Sequence, residues 1–181
     1  VIAWILTIAI FLLIVVGICA VHEAGHALVA YQRGIRLYEC GFGFGKSLVS
    51  FKRLGFAWHW RLWPLGAYIA LKDEDLYKLT PRSQIAIALG GVAVNIVIGI
   101  VLLLLFPMMS VIGLVGLLSL CLGIGNILPI YPMDGWLVLI VILRNRFNHN
   151  QPLRRLETTG GKIVGGVALA AWIVFTIATW Q

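Results

Sequence analysis

Charge is scarce in this chain. Of its 181 residues only 12% are Asp, Glu, Lys or Arg, and the acids number seven against fourteen bases. An ordinary soluble domain carries about 25% charged residues. With 61% hydrophobic residues as well, the composition excludes that class and implies one membrane domain over residues 1–181. Cysteine is nearly absent too: Cys19, Cys40 and Cys121 are odd in number, lack CxxC spacing and lie in or beside apolar sequence. That excludes a disulfide framework and a cysteine-based zinc site. The formal net charge of +7 does not point to nucleic acid, because the basic residues flank apolar spans as loops on one side of a bilayer do. A nucleotide loop is missing as well. The run Gly41-Phe42-Gly43-Phe44-Gly45-Lys46-Ser47 has Cys40 where a phosphate-binding loop needs glycine, and the residues after Ser47 alternate like a strand.

Against this background polar residues stand out by position. Val1 to Val21 is apolar throughout except for Thr7, and directly after it comes His22-Glu23-Ala24-Gly25-His26. Two imidazoles four apart on a helix lie on one face, one turn above the other, close enough to share a metal ion. Glu23 lies beside that face, placed to take a proton from water at the metal rather than to bind it. A charge near the bilayer centre costs about 3 kcal/mol, so residues of this kind within a spanning helix are functional by default. The structural alternative is an ion pair, or a helix emerging into water.

The first span is expected from about Val1 to Tyr31. After Gly34 the period changes to two: Val49 and Phe51, then Phe56, Trp58 and Trp60, alternate with polar or small residues around a turn at Arg53-Leu54-Gly55, which predicts a hairpin. Leu62 to Leu71, with Pro64 and Gly66, is too short to span and reads as a dipping or interfacial segment. Thr80-Pro81 supplies an N-cap and a proline at the first helical position of a second span, about Arg82 to Phe106. Within it Gly90-Gly91-Val92-Ala93-Val94-Asn95 allows close helix contact and carries an amide that needs a partner. A third span, about Val111 to Leu128, must run antiparallel to the second. Prolines 129 and 132 then break the helix where Asp134 appears. Trp136 to Leu143 continues as apolar helix, and Lys162 to Trp180 is a fourth span. The fold class is therefore a membrane α-helical domain of about four spans, with a membrane-associated β-hairpin region between the first and second.

All fourteen Lys and Arg fall within Arg33 to Arg82 and Arg144 to Lys162. Four spans place both stretches on one side, cytoplasmic by the positive-inside rule. His22 is about 30 Å along the first helix, and Asp134 comes after a span descending in the same direction, so both arrive near the cytoplasmic face. Two histidines and a carboxylate would make a three-ligand zinc site with an open position. Depth alone leaves Glu39 and Asp73-Glu74-Asp75 as rivals for the third ligand.

The chain resembles the site-2 protease family of intramembrane zinc metalloproteases. His22-Glu23-Ala24-Gly25-His26 is similar to the family HExxH, and Asn126, Pro129, Asp134 and Gly135 match its NxxPxxxxDG. The resemblance implies Zn²⁺ held by His22, His26 and Asp134, with Glu23 as catalytic base. It also implies cleavage of peptide bonds in or near transmembrane segments of a membrane-anchored substrate. Gly41 to Ser47 with Pro64-Leu65-Gly66-Ala67-Tyr68 resembles the family's membrane-associated β region. Asn95 falls in a run similar to its third signature and is a candidate to hold the substrate backbone or its oxyanion. Two positions depart from the pattern: Gly91 stands where proline is common, putting the expected loop or kink in question, and Trp136 stands where glycine is common, at the mouth of the site. The expected setting is a bacterial or archaeal cell membrane, with lipid and a membrane-spanning protein as partners and no nucleic acid or nucleotide. Two other classes compete. An inactive scaffold binding transmembrane segments is disfavoured by the complete His, Glu, His and Asp set, and a metal transporter by polar groups gathered at one depth.

Overall fold

The computed structural model describes residues 1–147. Helix α1 (Ile2–Gln32) leads to two long strands, β1 (Leu37–Arg53) and β2 (Phe56–Leu71), and then to the short α2 (Asp73–Tyr77), α3 (Pro81–Leu105), α4 (Val111–Gly125) and α5 (Asp134–Phe147). Among the described residues two helices, α1 and α3, are long and apolar enough to cross a membrane. The third expected span ends at Gly125 rather than Leu128 and is a shorter apolar helix of 15 residues. The fourth, Lys162 to Trp180, lies outside the described residues.

Small residues decide how the helices meet. A Cβ added to Gly25 would stand 2.5 Å from the carbonyl oxygen of Gly90, so α1 and α3 touch backbone to backbone at that point. Glycine does the same between α3 and α4, where a Cβ on Gly99 would stand 2.7 Å from Leu120 and one on Gly123 2.8 Å from Ile96. Helix α3 starts as its sequence predicts: Pro81 opens it, and the Thr80 hydroxyl accepts the Ser83 N–H at 3.3 Å. It then runs to Leu105 as one helix, with no loop at Gly91. Beneath the two long helices, Gln84 donates to the carbonyls of Leu76 and Leu79 at 3.0 and 2.9 Å, and Arg144 donates to Gln84 at 2.8 Å. These bonds tie α2, α3 and α5 together.

The β region is larger than the periodicity implies. The turn does fall at Leu54 and Gly55, both with positive φ. The strands, however, extend far beyond the alternating stretch, and Leu62 to Leu71 is part of β2 rather than a dipping segment. The reason is pairing at a distance. Leu37 to Phe42 finds partners in Leu71 to Ala67, while Glu39 to Phe42 also faces Ala57 to Trp60, so this part of β1 is bonded along both edges. Gly43, Gly45 and Gly66, at φ of 85°, 87° and 82°, permit the bends that bring these stretches side by side. Residues 67–71 are thereby paired along one edge within the sheet.

Trp136 is also placed differently from expectation. It is 6% exposed and packs with Ile140 and Val141 against Tyr77, Ile85 and Tyr131, in the core rather than at an opening. Its side chain fills the space between α5 and α3, which a helix of this amphipathic kind must bury.

The Gly25 contact sets a stability test. Gly25→Ala should cost about 1–3 kcal/mol, because the added methyl meets backbone that cannot yield. Gly17→Ala, with nothing within 4 Å of the new Cβ, should leave stability unchanged or slightly higher. Thermal unfolding of the two variants in detergent micelles measures the difference.

Candidate metal centre

Helix periodicity places His22 and His26 on the face of α1 that meets α3, where they are 6% and 7% exposed. Their Nε2 atoms lie 3.1 Å apart, and the rings meet edge to face with centroids 4.7 Å apart. Asp134, the first residue of α5, brings its carboxylate to both: Oδ2 is 2.9 Å from His22 Nε2, and Oδ1 is 3.4 Å from His26 Nε2. Glu23 completes the group, since the ligand atoms of His22, Glu23 and His26 all lie within 4.8 Å of one another.

Asp134 reaches this place through its own loop. The Asn126 side chain donates to the Leu122 carbonyl at 3.0 Å, closing the end of α4, and the Asn126 carbonyl accepts the Gly135 N–H at 2.7 Å. A Cβ on Gly135 would collide with the carbonyl of Ile127, so only glycine lets the two ends of the loop close. Pro129 sits in the exposed part of that loop. Glu39, a rival ligand by depth, is engaged elsewhere: its Oε1 accepts the Tyr68 hydroxyl at 2.6 Å and faces Arg61 at 3.5 Å and His59 at 3.7 Å. Asp75 pairs with Lys78 at 3.3 Å on the surface.

The donor set fits a zinc ion. Atoms bonded at about 2.0–2.1 Å to a tetrahedral zinc stand about 3.3 Å from each other; here the two Nε2 atoms are 3.1 Å apart, and each has one oxygen of the Asp134 carboxylate at 2.9 or 3.4 Å. Two imidazole nitrogens and one carboxylate leave a fourth position free, as in catalytic rather than structural sites. The outer nitrogens of both rings are held by α3. His26 Nδ1 is 2.7 Å from the Ile87 carbonyl, an acceptor that requires the proton on Nδ1 and leaves Nε2 bare for a metal. His22 Nδ1 is 3.3 Å from the Asn95 carboxamide nitrogen. Asn95 is 0% exposed; Ser119 donates to its backbone carbonyl at 3.0 Å.

Glu23 lies between the ligands and the sheet. The Ile69 N–H donates to its Oε2 at 3.1 Å, so β2 comes within one hydrogen bond of the carboxylate. Between α1 and the sheet lies an apolar cavity of about 200 Å³ lined by Glu23, Ala20, Ala24, Phe42, Trp58 and Ile69. A second, of about 500 Å³, continues along α1 from Ala20 and Phe42 to Ala9 and is edged by Arg61. Cys40 also lines the first cavity, but burial, and after it the nearby charge of Glu39, pushes its thiol up to about 11. It is therefore protonated at physiological pH. Sequence reasoning does not single out the Ile87 carbonyl or the Ile69 N–H, because backbone groups leave no mark in residue type.

Residues 10–112 match the sequence profile of peptidase family M50. The chain is 35% identical over 121 residues to a candidate zinc metalloprotease of Campylobacter jejuni, covering 60% of this chain and 31% of that protein. It is 27% identical over 149 residues to a zinc metalloprotease of Methanocaldococcus jannaschii, covering 77% of this chain and 35% of that protein. The chain thus spans about a third of the length of these curated relatives. Its fold is similar to the solved site-2 protease from Methanocaldococcus jannaschii, with a TM-score of 0.60 at 22% identity, covering 91% of this chain and 67% of that one.

Gly91 gives this centre a sharp test. A Cβ there would stand 2.5 Å from His26 Nε2 and 2.6 Å from the His22 carbonyl. Gly91→Ala should therefore weaken zinc binding by about 10-fold or more, the lower end of what disturbing a ligand's support costs. Competition with a chromophoric chelator reads the affinity.

Proposed function

The chain belongs to peptidase family M50, a membrane protease family, and on that footing we propose that it is an intramembrane zinc metalloendopeptidase acting on membrane-anchored proteins. The observation that carries the reading is the convergence of His22 Nε2, His26 Nε2 and Asp134 within 3.4 Å, with Glu23 beside them, on a helix of spanning length. His22, His26 and Asp134 hold the ion. Zinc, when bound, supplies a Lewis acid that acidifies water and polarises the scissile carbonyl.

The protein's own groups do the rest. Glu23 accepts the proton of the attacking water on its carboxylate and hands it to the leaving nitrogen. A helical substrate hides its carbonyls in its own hydrogen bonds and must unwind first. The apolar groove between α1 and the sheet suits the unwound segment: from Ala9 to Glu23 it tracks the helix for about 20 Å at 1.5 Å per residue, and it ends at the base. The stretch of β2 around Ile69, whose N–H already reaches Glu23 at 3.1 Å, is the part of the sheet against which an extended substrate would lie. Arg33 to Arg82 faces the cytoplasm in this reading, which puts the site near that side of a bacterial or archaeal membrane.

Two experiments test these statements. His22→Ala, His26→Ala and Asp134→Ala should each lose zinc and cleavage together. Glu23→Gln should keep zinc while turnover falls by about 10²–10⁴-fold, because the amide cannot accept the proton. Metal content and cleavage of single-span substrates by the purified variants decide it: full zinc with normal cleavage in Asp134→Ala sinks the ligand set, and normal turnover in Glu23→Gln sinks the mechanism. For orientation, a cysteine at exposed Glu74 in a chain lacking Cys19, Cys40 and Cys121 should resist impermeant labelling from outside sealed cells. Labelling there would reverse the topology.

A further inference from the structure

The two histidines of the centre have the same need and meet it differently. A neutral imidazole that gives its Nε2 lone pair to a metal carries its proton on Nδ1, and a buried N–H requires an acceptor. For His26 that acceptor is the Ile87 carbonyl, at 2.7 Å. This carbonyl lies one helical turn before Gly91, whose missing side chain makes room for the ring. For His22 the one side chain found at Nδ1 among the hydrogen bonds of the described residues is the carboxamide of Asn95, whose Nδ2 lies 3.3 Å away and whose Oδ1 is buried without a hydrogen-bond partner. Asn95 lies two helical turns beyond Ile87 on the same face of α3.

We propose that Asn95 is a positioning residue for the metal centre: its side-chain oxygen accepts the Nδ1–H of His22 and thereby fixes the tautomer and ring orientation that turn the Nε2 lone pair toward the ion. The oxygen and nitrogen of a carboxamide are nearly isosteric, so a half-turn about the Cβ–Cγ bond exchanges Nδ2 for the unpartnered Oδ1 at His22, and the end that faces the ring is set by what the ring must donate. Were the amide nitrogen to donate to Nδ1, the ring proton would sit on Nε2, and His22 would be lost as a ligand. The place of Asn95 agrees with a role exerted through His22 rather than on substrate. It is 0% exposed, and neither cavity beside Glu23 is lined by it. Its backbone is in turn anchored by Ser119 of α4, which donates to its carbonyl at 3.0 Å. A line of support therefore runs from α4 through α3 to the first ligand on α1.

This role rests on the zinc reading of the centre, and its test separates the two. Zinc affinity of the unaltered chain, Asn95→Leu and Asn95→Asp is measured in micelles by chelator competition, with thermal unfolding of the zinc-free proteins alongside. Asn95→Leu removes the acceptor at similar volume and should weaken zinc binding by about 10- to 100-fold. Asn95→Asp keeps an acceptor and should retain affinity. Equal affinity in all three overturns the positioning role, and so does an equal loss in both variants, which is what a purely structural role would give. A contact to substrate would instead raise KM and leave zinc binding untouched. If the unaltered chain binds no zinc, the metal centre falls and this role with it. Should Asn95→Leu fail to fold, nitrogen-15 spectra of the zinc-loaded unaltered chain decide: His22 with its proton on Nδ1 supports the assignment, and a bare or metal-bound Nδ1 overturns it.

Discussion

Taking imidazoles, carboxylates and a carboxamide out of water inside a hydrocarbon helix is costly unless each finds a partner, and that requirement governs how the helices pack. α1 does not supply acceptors for the outer ring nitrogens itself, because apart from Glu23 its side chains around His22 and His26 are apolar or absent. α3 supplies them, and it can do so only by coming close enough for its backbone to touch. The glycines at 25, 90 and 91 are thus part of the polar chemistry as much as of the packing: they bring a main-chain carbonyl and a carboxamide within hydrogen-bond distance of two rings. The contacts of α3 with α4 extend the same logic, since Ser119 holds the backbone of the residue that meets His22.

The sheet answers a different problem. Under the proposed protease function, a substrate leaving the bilayer in extended form loses its internal hydrogen bonds, and an apolar wall alone would offer it none. Here the groove has helix on one side and strand on the other, and the strand side brings a main-chain donor up to Glu23. The Glu39, Tyr68 and Arg61 network links β1 to that strand beside the groove, with burial, and then the bond to Glu39, raising the Tyr68 hydroxyl above its ordinary value so that it stays a donor. Arg61 also lies over the Tyr68 ring, 4.8 Å from its centroid. Polar residues of the hairpin that look like surface decoration therefore hold a wall of the groove in place.

The range of each interaction decides how much of it is legible in the sequence. His22, Glu23 and His26 can be read there because their relation is one turn of one helix, and the apolar setting makes them improbable as decoration. Thr80 and Pro81 mark the start of α3 for the same local reason. Asp134 is legible in depth, but Glu39 stands at a comparable depth, and only the three-dimensional pairing of Glu39 with Tyr68 separates them. The strand at 62–71 escapes a local reading because its partners lie around residues 37–42 and because Pro64 and Gly66 usually interrupt strands rather than bend them. For Trp136 the family pattern points to the opening, yet its helix turns it into the core. Composition carries no trace of which way a helix is rotated about its axis.

The clasp between Asn126 and Gly135 also has a mechanical side. By tying the start of α5 to the end of α4, the 2.7 Å bond and the side-chain-free contact with Ile127 make the Asp134 loop a closed eyelet. The position of the Asp134 carboxylate therefore depends on the end of α4 as much as on α5, and a shift of either helix is felt at the clasp.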